Sequence, residues 1–140
     1  MKTKFTQLVI LNKRKVEEVE MELQKNAKSI EVKQGEIDAL VREFATLQEP
    51  RSGIYQEFLT FCHHKEEYRN YIDDKMRELA FLKQDRKKLQ EAFKLANIEY
   101  EKAKYLDELE IKKMLETAKR LEGKNLDEIS VMLYANKGLS

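Results

Sequence analysis

Tryptophan is absent from this chain, proline and cysteine occur once each, and glycine occurs four times in 140 residues. A single cysteine excludes an internal disulfide and fits a reducing compartment. Few glycines and one proline leave little material for turns, so long uninterrupted elements are expected. No apolar run approaches the length of a membrane span. The opening MKTKFTQLVILNK has a basic start, but its apolar core is too short and no small-residue cleavage site follows, so it does not read as a secretory signal. No glycine-rich phosphate loop is present, because Gly35, Gly53, Gly123 and Gly138 stand far apart. What the chain has in quantity is charge, at 38% of residues, almost balanced at a net +1. Balance of that kind does not advertise nucleic acid. The basic KQDRKK at 83–88 lies among interleaved acids without a recognition motif, and no nucleic-acid partner is expected.

The charge is unevenly placed. Lys2, Lys4, Lys13, Arg14 and Lys15 form a basic start without acids, and residues 16–49 are strongly acidic. Through this segment apolar residues step by three and four: Val9, Asn12, Val16, Val19, Leu23, Asn26, Ile30, Lys33, Ile37, Leu40, Phe44, Leu47. A mean step of 3.5 specifies a narrow coiled-coil seam, and its polar breaks at Asn12, Asn26 and Lys33 weaken the seam while able to fix register. A second series runs Ile54, Phe58, Phe61, Lys65, Tyr68, Ile72, Lys75, Leu79, Leu82, Arg86, Leu89, Phe93, Ala96, Tyr100, Ala103. It slips near Asp107 and resumes at Ile111, Met114, Ala118 and Leu121.

Pro50, Ser52 and Gly53 separate the two series, with Ser52 a candidate cap for the second helix. The pattern predicts an all-α fold, a long two-helix antiparallel coiled-coil hairpin in a single domain spanning 1–140. Helix 1 is expected at about 5–48, the turn at 49–53 and the longer helix 2 at about 54–122. Gly123 then ends helix 2, and a short C-terminal tail helix follows at about 126–135, opened by Asn125 and Glu128 as a capping box. The heptad phase also runs on through the break, so one long kinked helix is the alternative. Helix 2 overhangs the start of helix 1, and its distal stripe of Ile111, Met114, Ala118 and Leu121 implies an intermolecular contact.

Cys62, His63 and His64 invite a metal reading, but adjacent helical residues point about 100° apart and no other His or Cys exists to complete a site. Cysteine–histidine catalysis needs a water-excluding pocket that a two-helix hairpin lacks. Neither enzyme activity nor a cofactor or metal is expected. The aromatics at the turn divide. Phe58, Phe61 and Tyr68 fall on the seam and are explained by core packing, whereas Tyr55, Leu59 and Tyr71 fall off it and form the kind of patch that anchors protein interfaces.

Four stretches carry a family resemblance. KFTQLVILNKRKVEEVEMEL has an aromatic, a short apolar run, a basic cluster and then acidic heptads. YQEF (Tyr55–Phe58) opens helix 2 after a mid-chain break, helix 2 is the longer, and LDEISVM (126–132) closes the chain. Together they resemble the FliJ family of flagellar export proteins and its counterparts in type III secretion. The resemblance implies a cytoplasmic stalk similar to that of rotary ATP synthases, peripheral to the inner-membrane export apparatus and reaching the membrane only through partners. It implies a hexameric export ATPase (FliI-like), engaged by the end bearing both termini, where Lys13, Arg14, Lys15, Ile111 and Met114 are the candidates. It also implies contacts to the cytosolic domain of the export gate protein (FlhA-like) and to export chaperones. For the gate the candidates are Tyr55, Phe58, Leu59 and Cys62. Cys62, Lys65 and Arg69 depart from the mostly apolar residues that the family carries after its aromatic, so the carry-over rests on Phe58. A homo-oligomeric structural coiled coil using the same seams between chains is the alternative reading.

Overall fold

The computed structural model describes residues 1–51 and 53–138 and holds two long α-helices packed against each other: α1 over Thr6–Thr46 and α2 over Tyr55–Gly138. Helix α1 begins on a reciprocal threonine cap. The backbone N–H of Thr3 donates to Thr6 Oγ1 at 2.8 Å, and that of Phe5 donates to Thr3 Oγ1 at 3.0 Å. Two of the donors that a helix start leaves unpaired are thereby satisfied without an acidic residue in the first turn. At its other end Thr46 Oγ1 donates to the Glu43 carbonyl at 2.7 Å, and Leu47 N–H closes a tight last turn on the Phe44 carbonyl. Helix α2 opens with Glu57 in its first turn, favourable to the helix dipole, and the Glu57 carboxylate folds back over Gly53. Ser52, expected to cap α2, lies outside the described residues.

The chain divides into two compact units, Glu17–Lys94 and Met1–Val16 with Leu95–Ser140. Within Glu17–Lys94 the helices run antiparallel. As the position on α1 rises through Asn26, Lys33, Glu36 and Glu43, its partner on α2 falls through Leu82, Glu78, Lys75 and Tyr68. The seam residues expected on α1 from Val19 to Leu47 are all buried or half-buried, and Ile37 and Leu79 are the most enclosed apolar side chains of this unit. On α2 two expected seam positions fail: Phe58 and Arg86 are exposed, as is Ile54 just before the helix, and Asp85 takes the half-buried place beside Arg86. In the other unit Val9, Asn12 and Val16 of α1 and Phe5 before it are buried or half-buried, as are Ala96, Tyr100 and Ala103 of α2, and Thr3 Oγ1 donates to Asp107 Oδ1. Ala103 is the most enclosed of these, at 1% exposed.

The expected break at Gly123 and the separate tail helix at 126–135 are corrected: α2 continues unbroken to Gly138. No described glycine has positive φ, so Gly123 lacks the left-handed conformation of a helix-ending glycine. A glycine inside a helix costs about 1 kcal/mol relative to alanine, which neighbouring helix formers absorb, whereas a proline costs about 3. Asn125 and Glu128 accordingly lie within a helical run.

Candidate interaction surfaces

In the unit Glu17–Lys94, the residues after the turn present one apolar face. Tyr55, Phe58, Leu59 and Cys62 are spaced at i, i+3, i+4 and i+7, which puts them on one side of a helix. All four are exposed, Tyr55 at 74%, Leu59 at 47% and Phe58 at 44%. Phe61 and Tyr68 are half-buried on the seam, but Phe58 is not enclosed there. Seam packing therefore does not account for Phe58, and this corrects the expectation that grouped it with Phe61. Lys65 Nζ sits 5.7 Å from the Phe61 ring centre and Arg69 sits 5.8 Å from that of Phe44, so two positions that depart from the family's apolar pattern hold their cations over seam aromatics. The imidazoles next to Cys62 share one carboxylate: His63 Nε2 lies 3.1 Å and His64 Nδ1 3.7 Å from Glu67. Among the described residues, no three His, Cys, Asp or Glu side chains gather in metal-binding geometry.

Deeper along the same unit the seam lysines Lys33 and Lys75 form a closed charge cluster. Lys33 Nζ lies 2.6 Å from Glu78 and 3.3 Å from Glu36, and Lys75 Nζ lies 3.3 Å from Glu36 and 3.9 Å from Glu78. Each lysine thus meets a glutamate three residues on along its own helix and a second one across the seam. The bond to Glu78 raises the Lys33 pKa, opposed by partial desolvation. The same bond holds the Glu78 carboxyl below its usual range, and Lys33 followed by Lys75 does the same for Glu36. Two helical turns back along α1, Asn26 Nδ2 donates to the Leu82 carbonyl at 3.0 Å while its Oδ1 is buried without a partner.

In the unit that holds both termini, Lys13, Arg14 and Lys15 are exposed along α1. The antiparallel pairing through Thr3 and Asp107 sets them roughly level with Ala96. Ile111 and Met114 lie about fifteen residues further along α2, about 20 Å at helical rise. The basic cluster and the distal apolar pair are therefore not brought together. Ile111 is half-buried, Met114 is 38% exposed, and every residue from 112 to 135 is exposed. Because α2 does not break, the seam-facing series continues from Ile111, Met114, Ala118 and Leu121 through Asn125 to Ile129 and Met132, in steps of three and four. The expected stop at Gly123 had hidden the continuity of Ile129 and Met132 with this stripe.

The family model described as Flagellar FliJ protein matches residues 1–139. The chain belongs to the FliJ family. No curated protein and no solved structure matches it significantly. FliJ proteins are non-catalytic components of flagellar export, and the two paired helices fit that assignment. Among the described residues, no helix is long and apolar enough to cross a membrane.

Proposed function

We propose that this FliJ-family chain is an adaptor of the flagellar type III export apparatus, a coiled-coil stalk that couples the export ATPase ring to the export gate. The observation that carries the reading is the exposed face of Tyr55, Phe58, Leu59 and Cys62 on a helix whose seam is already occupied. Large aromatics left in water beside a satisfied seam are the usual anchors of protein interfaces. In this reading the face docks on the cytosolic domain of the gate protein. The unit bearing both termini engages the ATPase hexamer, with Ile111 and Met114 at its apolar contact and Lys13, Arg14 and Lys15 as a separate basic contact on α1. The unpartnered series that runs on from Met114 to Met132 extends the apolar contact along α2. Export chaperones are further partners. The chain supplies rigidity and docking faces, and no chemistry.

Purified chain titrated against the organism's export ATPase and, separately, against the gate protein's cytosolic domain tests the proposal by calorimetry. Binding at micromolar concentration to both is expected. Phe58→Ala should weaken gate binding by about tenfold or more, the effect of truncating an interface anchor, and leave ATPase binding and helicity unchanged. Absence of both interactions would overturn the reading. Loss of helicity in Phe58→Ala would reassign Phe58 to the seam.

A further inference from the structure

Helix α2 carries a second apolar face in the unit that holds both termini. Leu95 (58% exposed), Ile98 (40%), Tyr105 (63%), Leu106 (40%) and Leu109 (39%) are all solvent-accessible. At 100° per residue, Leu95, Ile98, Lys102, Leu106 and Leu109 fall within an arc of roughly 80°. The seam residues Ala96, Tyr100 and Ala103 lie on another side of the same helix and are buried or half-buried against α1. A contiguous run of large apolar side chains on the free side of an already paired helix marks an interface. One charged residue interrupts it: Lys102, which pairs with Glu99 at 3.6 Å along the helix.

The seam of this protein contains a close counterpart. There an i,i+3 lysine–glutamate pair, Lys33 with Glu36, meets a second such pair, Lys75 with Glu78, on an antiparallel helix, and the four charges alternate in sign. Glu99 and Lys102 are half of that arrangement, with the two charges in reverse order along the helix, and both are exposed outside the seam. A partner that completes it must offer an acidic and a basic residue three apart on an antiparallel helix, flanked by large apolar residues. This chain's own segment 95–109 meets every one of those conditions. With Glu99 of one copy against Lys102 of the other, and the reverse by symmetry, Leu95 comes level with Leu106 of the second copy, and Ile98 and Leu109 lie within one helical turn of that pair. Such a contact is self-complementary, as a two-fold interface requires.

We propose that two copies of this chain associate antiparallel through the face of α2 formed by Leu95, Ile98, Leu106 and Leu109, with Glu99 and Lys102 pairing reciprocally across the two-fold axis. The interface residues are not those of the seam between α1 and α2, so each copy keeps its own hairpin pairing.

Sedimentation velocity on the full chain, from micromolar to sub-millimolar concentration, tests this with charge swaps at two exposed positions that leave the seam untouched. The wild type should pass reversibly from 16.7 kDa to twice that mass. Lys102→Glu sets four acids together in the dimer and Glu99→Lys sets four lysines together. Each alone should weaken self-association by at least about tenfold. Mixed in equal amounts, the two variants should form a heterodimer, because acid then meets base at all four positions. Unchanged circular dichroism verifies that both variants fold. A wild type that stays monomeric throughout, as it would if a different protein covered this face, overturns the proposal. So do single-swap variants that dimerise as well as the wild type, and a mixture that does not associate.

Discussion

Replacing Asn26 by leucine should stabilise the hairpin. Asn26 is 6% exposed, and its amide makes one bond, from Nδ2 to the Leu82 carbonyl at 3.0 Å. A neutral hydrogen bond contributes about 1 kcal/mol net, and the substitution forfeits it. The Leu82 carbonyl lies within α2, where a main-chain N–H of the following turn is its ordinary donor, so it is not orphaned. Against that loss, Asn26 Oδ1 is buried without a partner, a condition that costs about 1–3 kcal/mol and disappears with the side chain. A leucine of similar size buried at the same place adds about 1.5–3 kcal/mol of apolar transfer. The balance favours the variant by about 2–4 kcal/mol, which for a chain of this length raises Tm by roughly 5–15 °C. Asn26→Ala supplies the control, since it removes the orphaned oxygen but leaves space, and should fall well short of leucine. Thermal and urea unfolding followed by circular dichroism measure the difference. Asn26→Leu less stable than the wild type would refute the argument and mean that Oδ1 has a partner, such as an ordered water, that makes the amide a net contributor. Loss of a buried polar seam position also relaxes pairing specificity, so the leucine variant should be more prone to alternative oligomers in sedimentation.

The charge cluster sets a pH dependence. Glu36 and Glu78 have folded pKa values below their unfolded ones, so their contribution is present above the ordinary carboxylate range, about 4.3, and is lost as pH falls through the lowered values. Lys33 is raised, so its contribution is present below the ordinary lysine range, about 10.4, and is lost as pH rises through the raised value. The stability difference between wild type and Glu36→Gln/Glu78→Gln should therefore be flat through neutral pH and shrink at both extremes; a difference independent of pH down to strong acid would contradict the pairing. Gly123→Ala adds a methyl group where nothing lies within 4 Å and should favour the local helix by about 1 kcal/mol, read as slower amide exchange across residues 115–130. A decrease in protection there would restore Gly123 as a helix end. Thr3→Ala removes both the cap of α1 and the bond to Asp107, and should cost about 1 kcal/mol, with faster exchange over residues 5–12 and none at the centre of α1; Thr3→Ser should restore protection.

The pairing of the helices was readable because a 3.5-residue period does not depend on which apolar residue fills each position, and residues such as Val16, Ile37 and Leu79 end up enclosed where that period puts them. The charged breaks were readable as positions but not as partners. Lys33 and Lys75 look like two weak points in two separate series until the register brings Glu78 and Glu36 to them, and register comes from the sum of all contacts rather than from any one. Phe58 shows the limit near a turn. Its number fits the seam, but only Phe61 is far enough from the break to be covered, so the face on which the gate contact is proposed depends on where pairing begins. The end of α2 failed for an energetic reason: a single glycine costs too little to stop a helix flanked by good helix formers.

The thinness of the seam bears on how such a chain holds its partners. Among the described residues no large side chain is fully buried, and the enclosed apolar set is Val16, Ile37, Leu79 and Ala103, with Asn12 and Asn26 among them. A two-helix seam covers each helix on one side only, so much of its apolar surface stays wet, and the stability of the free chain is correspondingly small. A ligand that binds only the folded state adds RT ln(1 + [L]/Kd), about 2.7 kcal/mol at a hundredfold excess over Kd. For a hairpin with few buried contacts that is a large fraction of the total, so a partner seated on Tyr55, Phe58 and Leu59 both docks the chain and stabilises the end of α2 it touches. The same linkage runs in reverse: substitutions that loosen the seam near Phe61 should weaken docking at Phe58 without altering any contact to the partner, because binding must then supply the ordering that the seam no longer provides.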